Sequence, residues 1–160
     1  MTDCPVSPEQ AADPDGRDGC RTPMQWNGNP GAGFGSRDPW LPIPATAATV
    51  NVADQLTDPG SLLNFYRGLI QLRRDTPVLR AGDYQPCAAD PYVYAYHRHD
   101  PTDDVLIAAN FSDSDRRYAD PQLTARGDRL LSTAGPGGDE VELGPLHLRP
   151  LEATVIRLSG

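Results

Sequence analysis

A chain of 160 residues is long enough for one domain, or for one domain and a fragment of another. Its 38% hydrophobic content permits a core, while 17 prolines and 15 glycines predict long loops and short elements. The net charge of −8 and the absence of lysine argue against a nucleic-acid partner, because phosphate binding depends on clustered basic side chains.

The sequence predicts no segment that crosses a membrane or directs secretion. No stretch approaches the roughly 20 apolar residues of a membrane span, and residues 1–10 lack the basic and apolar regions of a secretory signal. We therefore expect a cytoplasmic protein with no membrane partner. Cys4, Cys20 and Cys87 are odd in number and far apart, which favours isolated thiols over a disulfide framework or a zinc site.

Residues 1–60 are expected to be loops. Turn-forming clusters such as DPDG, NGNPGAG and RDPWLPIP interrupt both the helical and the strand period. Connections of this length are typically lids, binding loops or disordered tails. The stretch GRDGCRTPMQW, residues 16–26, is unusually rich in chemistry, since it holds two arginines, an acid, a thiol, an amide and an indole.

One amphipathic helix is predicted from Ser61 to Arg74. Ser61 is suited to cap its start, Arg73 and Arg74 suit the negative end of the helix dipole, and Pro77 follows the stop. A broad apolar stripe at helical spacing is formed by Leu62, Phe65, Tyr66, Leu69, Ile70 and Leu72. A stripe of this width needs a substantial partner surface.

From about Val78 onward, the pattern changes to short strands separated by turn clusters. Strands are predicted at about 92–98, 105–111, 128–132, 140–143 and 152–158. We therefore predict an antiparallel β-sandwich for residues 78–160, with the boundary at about 75–77. The fold class is α+β, mainly β.

Two patterns invite a metal and neither supports one. His97 and His99 form an HxH on one strand face, but no third ligand lies at a suitable spacing, and polar residues on a solvated face explain the pair better. Asp13, Asp15 and Asp18 suggest a calcium loop, yet an arginine and a methionine occupy required ligand positions. No metal or other cofactor is predicted.

Residues 16–26 resemble the G-R-D-x-x-R-T-P-M-Q-W segment of the α-glucosidases and oligo-1,6-glucosidases in the α-amylase family of glycoside hydrolases, and they are also similar to trehalose synthases. Further matches follow in the family's order: AGF at 32–34, PW at 39–40, NV at 51–52 and FYRGLIQLRR at 65–74. VLIAANFS at 105–112 and RPLEATVIRL at 149–158 resemble the central and last strands of the family's C-terminal domain.

The resemblance implies the tail of such an enzyme. The family has a TIM-type barrel, a domain inserted in it and a C-terminal antiparallel β-sandwich, and the barrel alone takes roughly 250 residues. Residues 1–77 would be the end of the catalytic barrel, with a loop of the active-site face and the last barrel helix. Residues 78–160 would be the sandwich.

The resemblance also implies a retaining mechanism. The family uses an Asp nucleophile, a Glu acid/base and a further Asp that holds the substrate, and no segment of this chain matches the motifs that carry them. No catalytic residue is therefore assigned. We expect the parent enzyme to act on α-glucosidic oligosaccharides and this chain alone to be inactive, with the preferred linkage left undetermined.

In a full-length relative, the loop would lie at the C-terminal face of the barrel, where active sites of this fold are built. Its candidate substrate-binding or active-site-loop residues are Arg17, Asp18, Arg21, Gln25 and Trp26. The arginines and the aspartate suit either bracing of the loop by paired hydrogen bonds or contact with a sugar hydroxyl, and we favour bracing. Trp26 is expected to pack beneath the loop, with stacking on sugar as the alternative.

Two other interpretations stay open. The chain could be a free-standing β-sandwich module that binds carbohydrate or a partner chain, in which case Tyr92, Tyr94 and Tyr96 would form an exposed row. Alternating tyrosines are also common in sheets for stability alone. Alternatively, the chain could be half of a split enzyme whose missing barrel portion is supplied separately.

Overall fold

The structure, a computed structural model, describes residues 20–35, 39–123, 126–135 and 137–159. The chain divides into two compact units, Met1–Phe65 and Tyr66–Gly160. The first unit contains the predicted loop, and the second contains all of the described β-strands. Among the described residues, no helix is both long enough and apolar enough to span a membrane.

The first unit contains a 3-10 turn at Ala45–Ala48 and a short helix, α1, at Val52–Thr57. The expectation that residues 1–60 are all loop is therefore wrong for these two segments. Each has at most two turns, so neither produces a recognisable apolar period. Helices this short are stabilised by their surroundings rather than by propensity.

The predicted amphipathic helix is confirmed as α2, Leu62–Asp75. The Oγ atom of Ser61 accepts a hydrogen bond from the Asn64 N–H at 3.2 Å, which confirms its capping role. A further helical turn, α3, follows at Val78–Ala81. The first described strand begins after Gly82, which ends this turn, and it precedes the first predicted strand.

Eight strands follow in the described part of the second unit. They are β1 Asp83–Pro86, β2 Val93–His99, β3 Asp104–Asn110, β4 Arg116–Tyr118, β5 Arg126–Ser132, β6 Glu140–Glu142, β7 Leu146–Leu148 and β8 Ala153–Leu158. Six of them form one sheet in the order β1-β2-β3-β8-β5-β6, and β4 pairs with β7 in a second sheet. All of these pairings are antiparallel. The mainly antiparallel fold is thus confirmed, and the described residues form no closed barrel.

Strands β2, β3, β5, β6 and β8 correspond to the five predicted strands. The sequence does not predict β1, β4 and β7, which have only three or four residues each. Alternation cannot be recognised over so short a stretch. In addition, β1 ends in Pro86, a residue that usually argues against a strand.

The hydrophobic core of the second unit contains residues from both sheets. The six-stranded sheet contributes Val93, Ala95, Leu106, Ala108 and Ile156, and the two-stranded sheet contributes Tyr118, Leu146 and Leu148. In β2 and β7 the buried side chains recur at every second position, so these strands bury one face. Burial of each large apolar side chain contributes roughly 1.5–3 kcal/mol relative to exposure.

Candidate functional site

The predicted site residues fall in an irregular segment of the first unit. Arg17 and Asp18 lie outside the described residues. Arg21 is exposed and Gln25 is partly buried. Trp26 is 49% exposed to solvent. The expected packing beneath the loop therefore accounts for only about half of its surface.

The main chain around Trp26 is held from two directions. Its N–H donates to the Ala32 carbonyl at 2.8 Å, and the Asn27 N–H donates to the same oxygen at 3.2 Å. On the other side, the Trp26 carbonyl accepts from the Ala53 N–H at 3.0 Å. An exposed ring on a fixed backbone is a preorganised contact group, because little freedom remains to be lost on binding.

The return of the chain to Trp26 depends on a left-handed backbone. Gly31, Ala32 and Gly33 have φ values of 83°, 52° and 68°. Ala32 is fully buried in this conformation, which L-residues rarely adopt. A Cβ atom on Gly33 would lie 3.2 Å from the Cβ atom of Trp26 and within clash distance of Asn27. The glycine of the AGF sequence is therefore explained by the space and the φ angle that this turn requires at position 33.

Helix α1 joins the loop through its first backbone amides. The N–H of Val52 donates to the Gln25 carbonyl at 2.9 Å, beside the bond from Ala53 to Trp26. The next amide, of Asp54, donates to Oδ1 of Asn51 at 3.0 Å. The amides at the start of a helix have no partner within the helix. The loop carbonyls therefore satisfy these donors, and the same hydrogen bonds hold the loop in place.

The loop exposes several large apolar side chains, and no acidic side chain is buried in the described part of this unit. Large exposed side chains of its loop are Met24, Trp26, Phe34 and Trp40. Within residues 20–35 and 39–65, the carboxylates are Asp54 and Asp58, and both serve helix ends: Asp54 bonds to Asn51 at 2.7 Å and Asp58 accepts from the Gly60 N–H at 2.9 Å. This part of the chain is suited to hold and orient a ligand by aromatic and amide contacts.

Sequence reasoning misses Asn51 and Ala32 as site-building residues. In the sequence, Asn51 stands out only as part of a matching dipeptide. An Asn followed three residues later by an acid is a recognised start signal for a helix, and Asn51 with Asp54 carries it. No sequence signal predicts that the amides after Asn51 pair with carbonyls of the much earlier Gln25 and Trp26.

A second polar cluster lies in the β unit, around Cys87. Burial, together with the nearby negative charge of Asp120, raises the pKa of the Cys87 thiol to about 11. Burial also raises the pKa of Tyr118, whose hydroxyl donates to the Ala88 carbonyl at 2.7 Å. For Asp120, burial favours the neutral acid, but hydrogen bonds from the Ala88 and Gln122 amides outweigh it and lower the pKa. At neutral pH Cys87 is a protonated thiol, which is unsuited to nucleophilic chemistry.

The HxH pair and the tyrosine row are both arranged differently from the prediction. His97 is only 6% exposed and its Nδ1 lies 2.9 Å from Oδ1 of Asp104, so the solvated-face interpretation is wrong for this residue. Tyr92 precedes β2, and the centroid of its ring lies 3.9 Å from Cζ of Arg116. Tyr92 and Tyr94 are exposed as the row requires, whereas Tyr96 is partly buried.

A family model described as "Alpha amylase, catalytic domain" matches residues 2–82, half of the chain. An oligo-1,6-glucosidase of Parageobacillus thermoglucosidasius is 34% identical over 145 residues, which cover 89% of this chain and 26% of that protein. A trehalose-6-phosphate hydrolase of Bacillus subtilis (strain 168) is 32% identical over 146 residues, with the same two shares.

Solved structures also match most of this chain. A trehalulose synthase from Pseudomonas mesoacidophila MX-45 superposes with a TM-score of 0.77 at 30% identity, covering 90% of this chain and 26% of that one. An isomaltulose synthase from Klebsiella sp. LX3 superposes with a TM-score of 0.75 at 34% identity, over the same shares. The chain thus spans about a quarter of the length of the relatives it matches.

Proposed function

Because this chain belongs to the α-amylase catalytic-domain family, we propose that it is the C-terminal portion of a retaining α-glucosidase that cleaves α-glucosidic bonds of oligosaccharides. In this proposal residues 1–77 are the end of the catalytic barrel and residues 78–160 are its C-terminal β-sandwich. The identity of 34% with an oligo-1,6-glucosidase, maintained over 89% of the chain, supports this choice of activity. The shared core of the two sheets is consistent with a sandwich.

The observation that carries the proposal is the fixed, half-exposed Trp26. Its carbonyl and its amide are both held, while its indole is half exposed to solvent. In this proposal the segment is the active-site-face loop of the family. We assign Gln25 and Trp26, with Arg17, Asp18 and Arg21 of the same stretch, to the substrate-facing loop of the parent enzyme. An amphipathic ring on a rigid backbone is suited to stack on a sugar.

Catalysis is assigned to residues of the parent enzyme rather than to this chain. Retaining hydrolysis requires two carboxyl groups roughly 5–5.5 Å apart across the scissile bond. The two described carboxylates of the first unit, Asp54 and Asp58, are committed to helix ends. The remainder of a barrel is therefore the partner that this loop requires.

The test uses p-nitrophenyl α-glucoside. Purified alone, the chain is expected to release no p-nitrophenol. A chimera in which this chain replaces the matching 145-residue segment of the P. thermoglucosidasius enzyme is expected to hydrolyse it. Trp26→Ala in the chimera should lower kcat/KM by about tenfold or more, whereas Thr57→Ala, at the far end of α1, should not.

Three outcomes contradict parts of the proposal. Turnover by the chain alone would refute its inactivity, and a folded but inactive chimera would refute the assignment to this activity. Equal kinetics for the Trp26→Ala and parent chimeras would remove the loop from the substrate site. Mixing the chain with the separately produced remainder of the relative tests the split-enzyme alternative, which requires activity without covalent linkage.

A further inference from the structure

Asn51 is a buried side chain of the first unit whose amide is fully engaged in hydrogen bonds. The residue is 2% exposed. Its Nδ2 donates to the Ala47 carbonyl at 3.0 Å and to Oδ2 of Asp54 at 2.7 Å, and its Oδ1 accepts from the Asp54 N–H at 3.0 Å. One amide group thus connects the 3-10 turn to the first turn of α1. A buried amide that loses such partners costs more than the bonds themselves contribute.

The loop passes close to this amide at Gly28. A Cβ atom on Gly28 would lie 3.6 Å from Nδ2 of Asn51 and 3.4 Å from the Ala48 carbonyl oxygen, so Gly28 lies close to both. Two residues earlier in the loop, the Trp26 carbonyl accepts a hydrogen bond from the Ala53 N–H. Asn51 therefore lies beside the loop and directly precedes the two amides, of Val52 and Ala53, that bond to it.

We propose that Asn51 is a positioning residue for the substrate-facing loop: it fixes the Val52 and Ala53 amides, and through them the orientation of the Trp26 indole. That this orientation serves substrate binding rests on the proposed function. The effect of Asn51 on the orientation of the indole does not. Asn51 is too deeply buried to touch an oligosaccharide, so its effect reaches the ligand only through the backbone of Gln25 and Trp26.

The first test follows the loop in the full chain without substrate. The chain has two tryptophans, Trp26 and Trp40, so a Trp40→Phe background leaves Trp26 as the only reporter. Asn51→Ala is expected to accelerate amide exchange at Val52 and Ala53 by roughly tenfold and to lower the fluorescence anisotropy of Trp26. Exchange in residues 66–159 should not change.

A matched control separates positioning from general loss of the helix. Thr57 bonds to the Asp54 carbonyl at 2.9 Å at the other end of α1. Thr57→Ala should weaken the helix end without changing the Trp26 anisotropy. If Thr57→Ala and Asn51→Ala change Trp26 equally, or if neither changes it, the positioning role is wrong.

Exchanging the amide and the carboxylate between positions 51 and 54 keeps the test decisive if Asn51→Ala unfolds the unit. Asn51→Asp places two carboxylates at the 2.7 Å contact with Asp54 and should release the loop. Adding Asp54→Asn restores a donor and an acceptor to that contact, while the Ala47 carbonyl still lacks its donor, and should recover part of the Trp26 anisotropy. A folded double variant with no recovery at all would overturn the proposal, because the Asn51–Asp54 contact would then not govern the loop.

The same variants in the active chimera provide the kinetic readout. Asn51→Asp should raise KM severalfold more than it lowers kcat, with recovery in the double variant, because ligand placement rather than acid/base chemistry is affected. A change in kcat alone would contradict this. If the parent chimera is inactive, the proposed function fails, while the anisotropy and exchange results still decide the role of Asn51.

Discussion

The main chain turns back to Trp26 through three consecutive residues with positive φ, and the central one, Ala32, is fully buried. Left-handed backbone costs a residue with a Cβ atom roughly 1–2 kcal/mol. Such strain persists only where the surrounding structure over-determines it, as the two hydrogen bonds to the Ala32 carbonyl do here. The conformation therefore serves the placement of Trp26.

Gly33→Ala tests this account, with Gly35→Ala as its matched control. An added Cβ atom on Gly33 meets Asn27 and Trp26 at a φ of +68°, whereas one on Gly35 has no neighbour within 4 Å. We expect Gly33→Ala to lower the free energy of unfolding of the first unit by about 1–3 kcal/mol. Denaturant unfolding followed by tryptophan fluorescence provides the measurement. Equal midpoints for the two variants would contradict the strain argument.

Helix α2 differs from the other helical elements because it could be predicted from its sequence. Its stripe is long enough to show the helical period, and its cap is local. Much of the same stripe is nevertheless exposed, with Leu62 at 67%, and Tyr66 and Ile70 are also exposed. A broad apolar face in contact with water is consistent with the proposal that this helix packs on the rest of a barrel.

Removing apolar surface from α2 should be measurable with a hydrophobic dye. We expect the chain to enhance the fluorescence of such a dye and Ile70→Glu to reduce the enhancement severalfold, because it places a charge within the stripe. Arg67→Glu changes an exposed residue of the same helix outside the stripe and should have little effect. Equal dye fluorescence for both variants would show that the dye binds elsewhere.

Elements with a strong local period could be predicted, and those made by distant contacts could not. The alternating β2 and the continuous apolar β3 are both near their predicted positions. The short β4 and β7 exist because they pair with each other although they lie far apart in the chain, and α1 exists because Asn51 and the loop complete it. For the site, the residue types of the loop could be read from the sequence, whereas their fixation depends on hydrogen bonds between distant segments.

The two units of the molecule differ in what holds them together. The second has a cluster of buried apolar side chains drawn from both sheets. In the first, the interactions that define the loop are mainly hydrogen bonds to backbone amides and carbonyls, with isolated buried residues such as Leu41. Hydrogen bonds contribute less net stability than apolar burial does, so we expect the first unit to be the less stable one.

The distribution of aromatic residues allows the two units to be followed separately. Both tryptophans, Trp26 and Trp40, belong to the first unit, and all 6 tyrosines belong to the second. Leu148→Ala, in the core cluster, should lower the free energy of unfolding reported by tyrosine by about 2–5 kcal/mol and leave the tryptophan transition in place. Leu41→Ala, buried in the first unit, should have the reverse effect. If both reporters shift together in either variant, the chain unfolds as one cooperative unit, and the loop then derives its stability from the β core rather than from the local hydrogen bonds described above.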